Sequence, residues 1–321
     1  MPNFNLNSGY GALLADKVVA SVSTAGKTFL VCPSTHPNFT NLQQLFIPDP
    51  DGTSRIFTTL VAAAAATTAS RDDVIFVAEG HTETFSSATA ITLSTAGVRI
   101  IGMGVGSLRP TFTLDTANTA TINVTAANIR FENCIFVANF LAIASLFTLT
   151  TAKEFQLVNC EVRDTSSVLN FVTVVTTAAT SNGADGLTIS GCKFYLLATT
   201  GATKLVSAVG TNDRWTITNN FYSTPTTGTG AVIPVATGKA ITNLILDGNK
   251  FILVQTTGTS TGILLTADTA GSGYVSNNLV QTAATTPLCV TAARTFVQTN
   301  NLFTHSADKS GYVMPVIDAS S

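Results

Sequence analysis

Asn133-Cys134-Ile135-Phe136 is followed by Asn159-Cys160-Glu161-Val162 and Gly191-Cys192-Lys193-Phe194, and then by Asn219-Asn220-Phe221-Tyr222. The same four-residue ending returns as Gly248-Asn249-Lys250-Phe251, Asn277-Asn278-Leu279-Val280 and Asn300-Asn301-Leu302-Phe303. Successive copies lie 23 to 32 residues apart, a period that marks a solenoid. Each copy closes a short alternating stretch. Ile129 and Phe131, Phe155 and Leu157, Leu187 and Ile189, Trp215 and Ile217, and Leu244 and Leu246 point one way. Arg130, Glu132, Gln156, Thr188, Ser190, Thr216 and Thr218 point the other. Period two is the pattern of a strand with one buried and one wet face.

A second β-rich stretch separates the copies: Ser145 to Leu149, Val172 to Thr176, Leu205 to Val209, Val232 to Val235 and Ile263 to Thr266. Two or three strands per repeat, joined by turns and never by a helix, describe one coil of a parallel β-helix. Asn and Gly tolerate positive φ, so the first column of the ending bends the chain at each corner. In the second column, Asn220, Asn249, Asn278 and Asn301 read as a stacked amide ladder. Cys134, Cys160 and Cys192 read as small buried fillers, not as a disulfide framework or a metal site. The fourth column faces inward.

Charged residues make up 11% of the chain, against about 25% in an ordinary soluble domain. A formal net charge of -2 offers no electrostatic case for nucleic acid or an anionic membrane. No run reaches the roughly 18 apolar residues that span a bilayer, and the first thirty residues do not read as an export signal, so synthesis in the cytoplasm is expected.

Residues 1–54 do not fit the coil pattern and are expected to form an irregular anchoring segment, with one strand at Lys27 to Cys32. A β-helix is expected over 55–321. The Ala-rich stretch 55–69, with Ser54 as its N-cap, is expected to be a helix that covers the open end of the core.

Beyond it run Asp72-Asp73-Val74-Ile75-Phe76-Val77, Gly80 to Glu83, and Gly97-Val98-Arg99-Ile100-Ile101-Gly102. From about 55 to 303 the chain resembles the pectin-lyase-like superfamily of right-handed, single-stranded parallel β-helices. The resemblance implies an all-β fold and leaves activity open, because that architecture hosts lyases, hydrolases and inert virion parts. Lys27 to Val31, Pro48-Asp49-Pro50-Asp51-Gly52 and Gly80-His81-Thr82-Glu83-Thr84 are similar to bacteriophage virion proteins with a β-helix body. That second resemblance implies a non-enzymatic structural protein of the virion exterior, such as a capsid decoration protein, and supplies no catalytic residues, cofactor or metal.

Three residues counted back from the corners, Lys153, Asp185 and Asp213, fall in register on consecutive coils. Stacked carboxylates beside a Lys are the best catalytic constellation that the sequence offers for sugar cleavage. Both Asp also sit where Asp forms turns, which is the structural reading. Glu161 over Lys193, and Arg130 beside Glu132, read as surface ion pairs. Asp72-Asp73 reads as a loop. His36, His81 and His305 lie far apart, with His81 and Glu83 expected in a structural or capsid-contacting role. Gly102 to Gly106 leads to no helix and so is not a dinucleotide loop. Trp215 and Phe221 are assigned to core columns, which leaves no exposed aromatic platform for sugar.

These readings lead to a homotrimeric virion protein that contacts the major capsid protein or other virion components, binding neither nucleic acid nor membrane. The alternative is a tailspike-like polysaccharide depolymerase using Asp185, Asp213 and Lys153. A glycan-binding adhesin is a third reading.

Overall fold

The computed structural model describes residues 26–86, 91–199, 203–225, 232–253, 270–282, 295–304 and 312–313. The stretch Ile263 to Thr266, Cys289 and His305 lie outside them. The chain winds as a right-handed parallel β-helix of about 8 turns. Among the described residues three long sheets run along it, with 11, 10 and 5 strands, called here sheets 1, 2 and 3. One coil shows the plan. Strand Gln156–Val158 lies in sheet 1, the Asn159-Cys160 corner follows, Glu161–Asp164 lies in sheet 2, and Thr173–Thr177 lies in sheet 3.

The repeat columns stack as the alternation requires. Phe136, Val162, Phe194, Tyr222, Phe251, Val280 and Phe303 are successive partners in the parallel ladder of sheet 2. Their corner column, Asn133, Asn159, Gly191, Asn219, Gly248, Asn277 and Asn300, has φ between 51° and 66° at every member. That is the left-handed region that favours Asn and Gly.

The amide ladder also forms. The Nδ2 of Asn220, Asn249 and Asn278 donates to the Oδ1 of the next Asn at 3.0, 2.9 and 3.0 Å. Each of these amides also donates to a carbonyl of the preceding coil, at Ile189, Ile217 and Leu246. A buried amide is tolerable only when so satisfied. The three Cys fill the same place in earlier coils, their thiols donating to carbonyls of Glu132, Val158 and Leu157. Burial pushes the Cys134 and Cys192 thiols well up, which keeps them protonated and inert.

The interior is a file of aromatics, with Phe85, Phe112 and Phe136 stacked at 5.6 and 5.7 Å. Trp215 is fully buried and donates its Nε1 hydrogen to the carbonyl of Ala184 at 2.9 Å.

The N-terminal end differs in detail from the sequence reading. The helix is confined to Leu60–Ala65, and its N-cap is Thr59, whose hydroxyl accepts from the Ala62 amide. Residues expected in its first turn, Ile56–Phe57, instead form a strand against Thr28–Val31. Leu60 and Ala63 join the same core as Phe29, Val31, Ile75 and Val77, so the helix covers the end of the column. Thr28–Val31, assigned to the anchoring segment, is an integral strand of sheet 1 and pairs with Val74–Val77. Leu42 and Phe46 pack on the outside of that sheet against Leu30, Phe76 and Met103. Asp73 locks this end. Its buried carboxylate accepts from the Lys27 and Thr68 amides and pairs with Arg71.

Candidate functional site

Two charged clusters stand out, one at a corner and one on a sheet face. The corner cluster contains the residues singled out from sequence. Strands Gln156–Val158, Thr188–Ser190 and Thr216–Thr218 pair in register. Lys153, Asp185 and Asp213, each three residues upstream, therefore line one corner. Lys153 Nζ lies 4.0 Å from Asp185 Oδ2. Asp185 Oδ1 accepts the Asp213 amide at 2.9 Å. Asp213 Oδ1 accepts from Thr242 Oγ1 at 2.6 Å and Asn243 Nδ2 at 2.8 Å, and its Oδ2 lies 3.3 Å from Arg214 Nε. The Thr242 hydroxyl above all, helped by Asn243 and Arg214 against the cost of desolvation, holds the Asp213 carboxyl below the usual range.

A general acid needs the opposite shift. The same corner carries Glu154, whose carboxylate crosses over Gly186 to reach Arg214 Nη2 at 3.2 Å. Gly186 has φ +73°, the left-handed region that favours glycine, and a Cβ there would meet the end of the Glu154 side chain. Sequence register brings these residues together, and their bonds hold the coils to one another.

The second cluster lies on the outer face of sheet 2. Strand Lys193–Tyr195 turns Lys193 and Tyr195 outward on either side of the buried Phe194. In the next coil Tyr222 is buried, so Phe221 faces out. This corrects its assignment to a core column: with one residue of a pleated pair inside, its neighbour must point away. The Tyr195 and Phe221 rings lie 5.7 Å apart, tilted by 48°, and Tyr195 is 41% exposed. An exposed aromatic platform is therefore present. Lys193 pairs in register with Phe221, and Phe221 with Lys250, which places a cation on each side of the rings.

One coil earlier, Glu161 pairs in register with Lys193, yet its carboxylate goes elsewhere. Arg109, reaching over from the start of strand Thr111–Leu114, bonds its Oε2 through Nη2. Arg163 Nε lies 2.7 Å from Oε1 as an ion pair without hydrogen-bond alignment. Among the described outward-facing strand residues of sheet 2, Glu161 is the one acid, set against Arg109, Arg163, Lys193 and Lys250.

The remaining candidates are structural. His81 Nε2 lies 3.3 Å from Glu83 Oε2, which also accepts the Leu60 amide, and both side chains are largely shielded from solvent. His36 bonds the Glu79 carbonyl. Arg130 pairs with Glu132 at 2.9 Å, as read from sequence.

Two solved structures share this winding. One is a pectin methylesterase from Aspergillus niger, with a TM-score of 0.46 and 16% identity over 81% of this chain and 85% of that one. The other is a rhamnogalacturonan lyase, with a TM-score of 0.35 and 12% identity over 80% of this chain and 68% of that one. The fold is a right-handed parallel β-helix, the architecture of pectin-lyase-like proteins. No family model matches the sequence, and no curated protein matches it.

By name one neighbour is a methylesterase and the other a lyase, and neither is a virion protein, so the expectation of a non-enzymatic capsid decoration protein is not carried forward. That expectation rested in part on the absence of a visible active site, and sheet 2 carries an ion cluster beside an exposed aromatic pair at Tyr195 and Phe221.

Proposed function

We propose that this protein is a polysaccharide depolymerase that binds an acidic glycan along the outer face of sheet 2. The observation that carries the reading is the open Tyr195–Phe221 pair set between cations on one sheet face. Aromatic faces stack on the apolar faces of sugar rings, and the flanking cations neutralise carboxylates of the chain. Four cations to one acid make this face locally positive on a protein whose formal net charge is -2, which draws in an anionic polymer.

The single carboxylate also bears on the reaction class. Glycoside hydrolysis uses two carboxyl groups about 5 to 9.5 Å apart. Glu161 stands without a second acid among the described outward-facing residues of this sheet, an arrangement that suits elimination. In that reaction the uronate carboxylate of the substrate engages Arg163 and Lys193, and an oxygen of Glu161 accepts the proton next to that carboxylate. The bond to the glycosidic oxygen breaks as the ring double bond forms, and the departing oxygen takes up a proton from water. Arg109 keeps the other Glu161 oxygen in place.

The test is incubation with polygalacturonate and other polyuronates, following ultraviolet absorbance of unsaturated ends alongside reducing ends. Unsaturated ends that vanish in Glu161→Gln are expected. Reducing ends without unsaturation would move the chemistry to hydrolysis. Binding with no new ends would leave an adhesin. No binding of any acidic glycan would overturn the reading altogether.

A further inference from the structure

Asp164 ends the strand that carries Glu161 and Arg163, and its side chain turns inward. It is 7% exposed and, among the described residues, has no cationic partner. Instead its two oxygens are shared between two loops. Oδ1 accepts the Phe171 amide at 2.9 Å, and Oδ2 accepts the Leu197 amide at 2.8 Å. The first bond closes the loop between Asp164 and strand Thr173–Thr177, whose tip exposes Val168. The second fixes the backbone two residues beyond Tyr195. Leu197 is exposed like Tyr195, while Leu196 between them is buried, so Leu197 prolongs the aromatic strip at the edge of the face. Resting on the function proposed above, we propose that Asp164 is a positioning residue for this site: a buried latch that holds both rims of the glycan face only while its carboxylate is charged.

The chemistry is that of one group serving two donors. A charged carboxylate accepts from both amides, whereas the neutral acid turns one oxygen into a donor and leaves one N–H facing a hydrogen. A buried amide without an acceptor is costly, so the loop that loses its bond loosens. Burial, opposed by the amide bonds, pushes the Asp164 carboxyl up to about 6, which brings the change into an accessible range. The loops packed against it, 165–172 and 196–199, contain no ionisable side chain, nor does strand Ile135–Ala138 beside it. Tyr222 is the titratable neighbour from the following coils. Its hydroxyl donates to the Thr203 carbonyl, and burial, with the nearby Asp164 charge, keeps it protonated.

The experiment measures amide exchange protection at Phe171 and Leu197 in the wild-type protein from about pH 8 to about pH 5, with polygalacturonate affinity over the same range. Protection is expected to drop at one or both amides as pH falls through Asp164's range, with affinity falling about tenfold in parallel. In Asp164→Asn both steps vanish. Tyr195→Ala lowers affinity at every pH and leaves the protection step in place. Flat protection in the wild type overturns the latch, and so does a protection step with flat affinity. Polygalacturonate that fails to bind at every pH overturns the functional reading instead. The wild-type series decides the matter even if the variant does not fold.

Discussion

The corner at Asp185 and Asp213 and the face at Glu161 and Tyr195 are built from the same residue types, yet their charges are used differently. At the corner every carboxylate is tied to another coil: Asp185 to a backbone amide and Asp213 to Thr242 and Asn243 of the next coil, and Glu154 to Arg214 two coils on. These bonds run along the solenoid axis and hold neighbouring coils in register. On sheet 2 the charges lie beside open aromatic rings, and cations outnumber the acid. A charge whose partners are all internal works as a fastener. Cations set beside exposed rings, Lys193 and Lys250, have a partner still to come. Register alone does not distinguish the two.

Four variants or conditions break or sharpen that contrast. The largest effect belongs to Glu161→Gln. Removing a general base costs about 10² to 10⁴ in turnover, while glycan affinity stays within a few-fold, and steady-state kinetics on a polyuronate checks both. Asp185→Asn should leave turnover unchanged. If the two variants exchanged behaviours, the corner would be the active site.

Next comes the dependence of stability on pH. Asp73 and Asp213 have carboxyls held below the value of 3.8. For Asp73, desolvation opposes the charge, but Arg71 and the Thr68 and Lys27 amides outweigh it. Carboxyls of this kind contribute stability that is present above 3.8 and lost as pH falls below it. Asp164 has the opposite sign: its raised value means that the native state binds the proton more tightly, so its contribution is fullest below 3.8 and is lost as pH rises through about 6. Denaturant unfolding should therefore show a stability maximum at about 4, with Asp164 accounting for up to about 3 kcal/mol of the decline between about 4 and about 6. Asp164→Asn flattens that decline.

Asp185→Ala removes the acceptor for the Asp213 amide at a buried corner. About 2 kcal/mol of stability should be lost in the same unfolding measurement, with glycan affinity unchanged. Smallest is Tyr195→Ala, which should weaken glycan binding by about tenfold in calorimetry and leave the unfolding midpoint nearly where it was, because the ring is exposed.

The fold was legible in sequence because its determinants are local. Positive φ at Asn133, Asn159 and their successors follows from residue type, and the inward file from Phe136 to Val280 follows from alternation. The capping helix was legible in kind but too long, since pairing of Ile56–Phe57 with Thr28–Val31 outcompeted the helical preference of the flanking chain. The candidate site was half legible. Register placed Lys153, Asp185 and Asp213 together, but the groups that engage Asp213, namely Thr242 and Asn243, lie a coil away and 29 and 30 residues on. Arg109 is likewise 52 residues from Glu161. Phe221 was misread because hydrophobicity was given more weight than alternation, although Tyr222 beside it already occupied the inward position. Asp164 carries no motif at all, since its role comes from two loops meeting at one buried carboxylate.

The most direct test is a structure of the protein with an acidic oligosaccharide bound. The account predicts sugar rings on the Tyr195–Phe221 pair with a carboxylate at Arg163 or Lys193. Sugar seated instead at the Lys153, Asp185 and Asp213 corner, with sheet 2 bare, would contradict it.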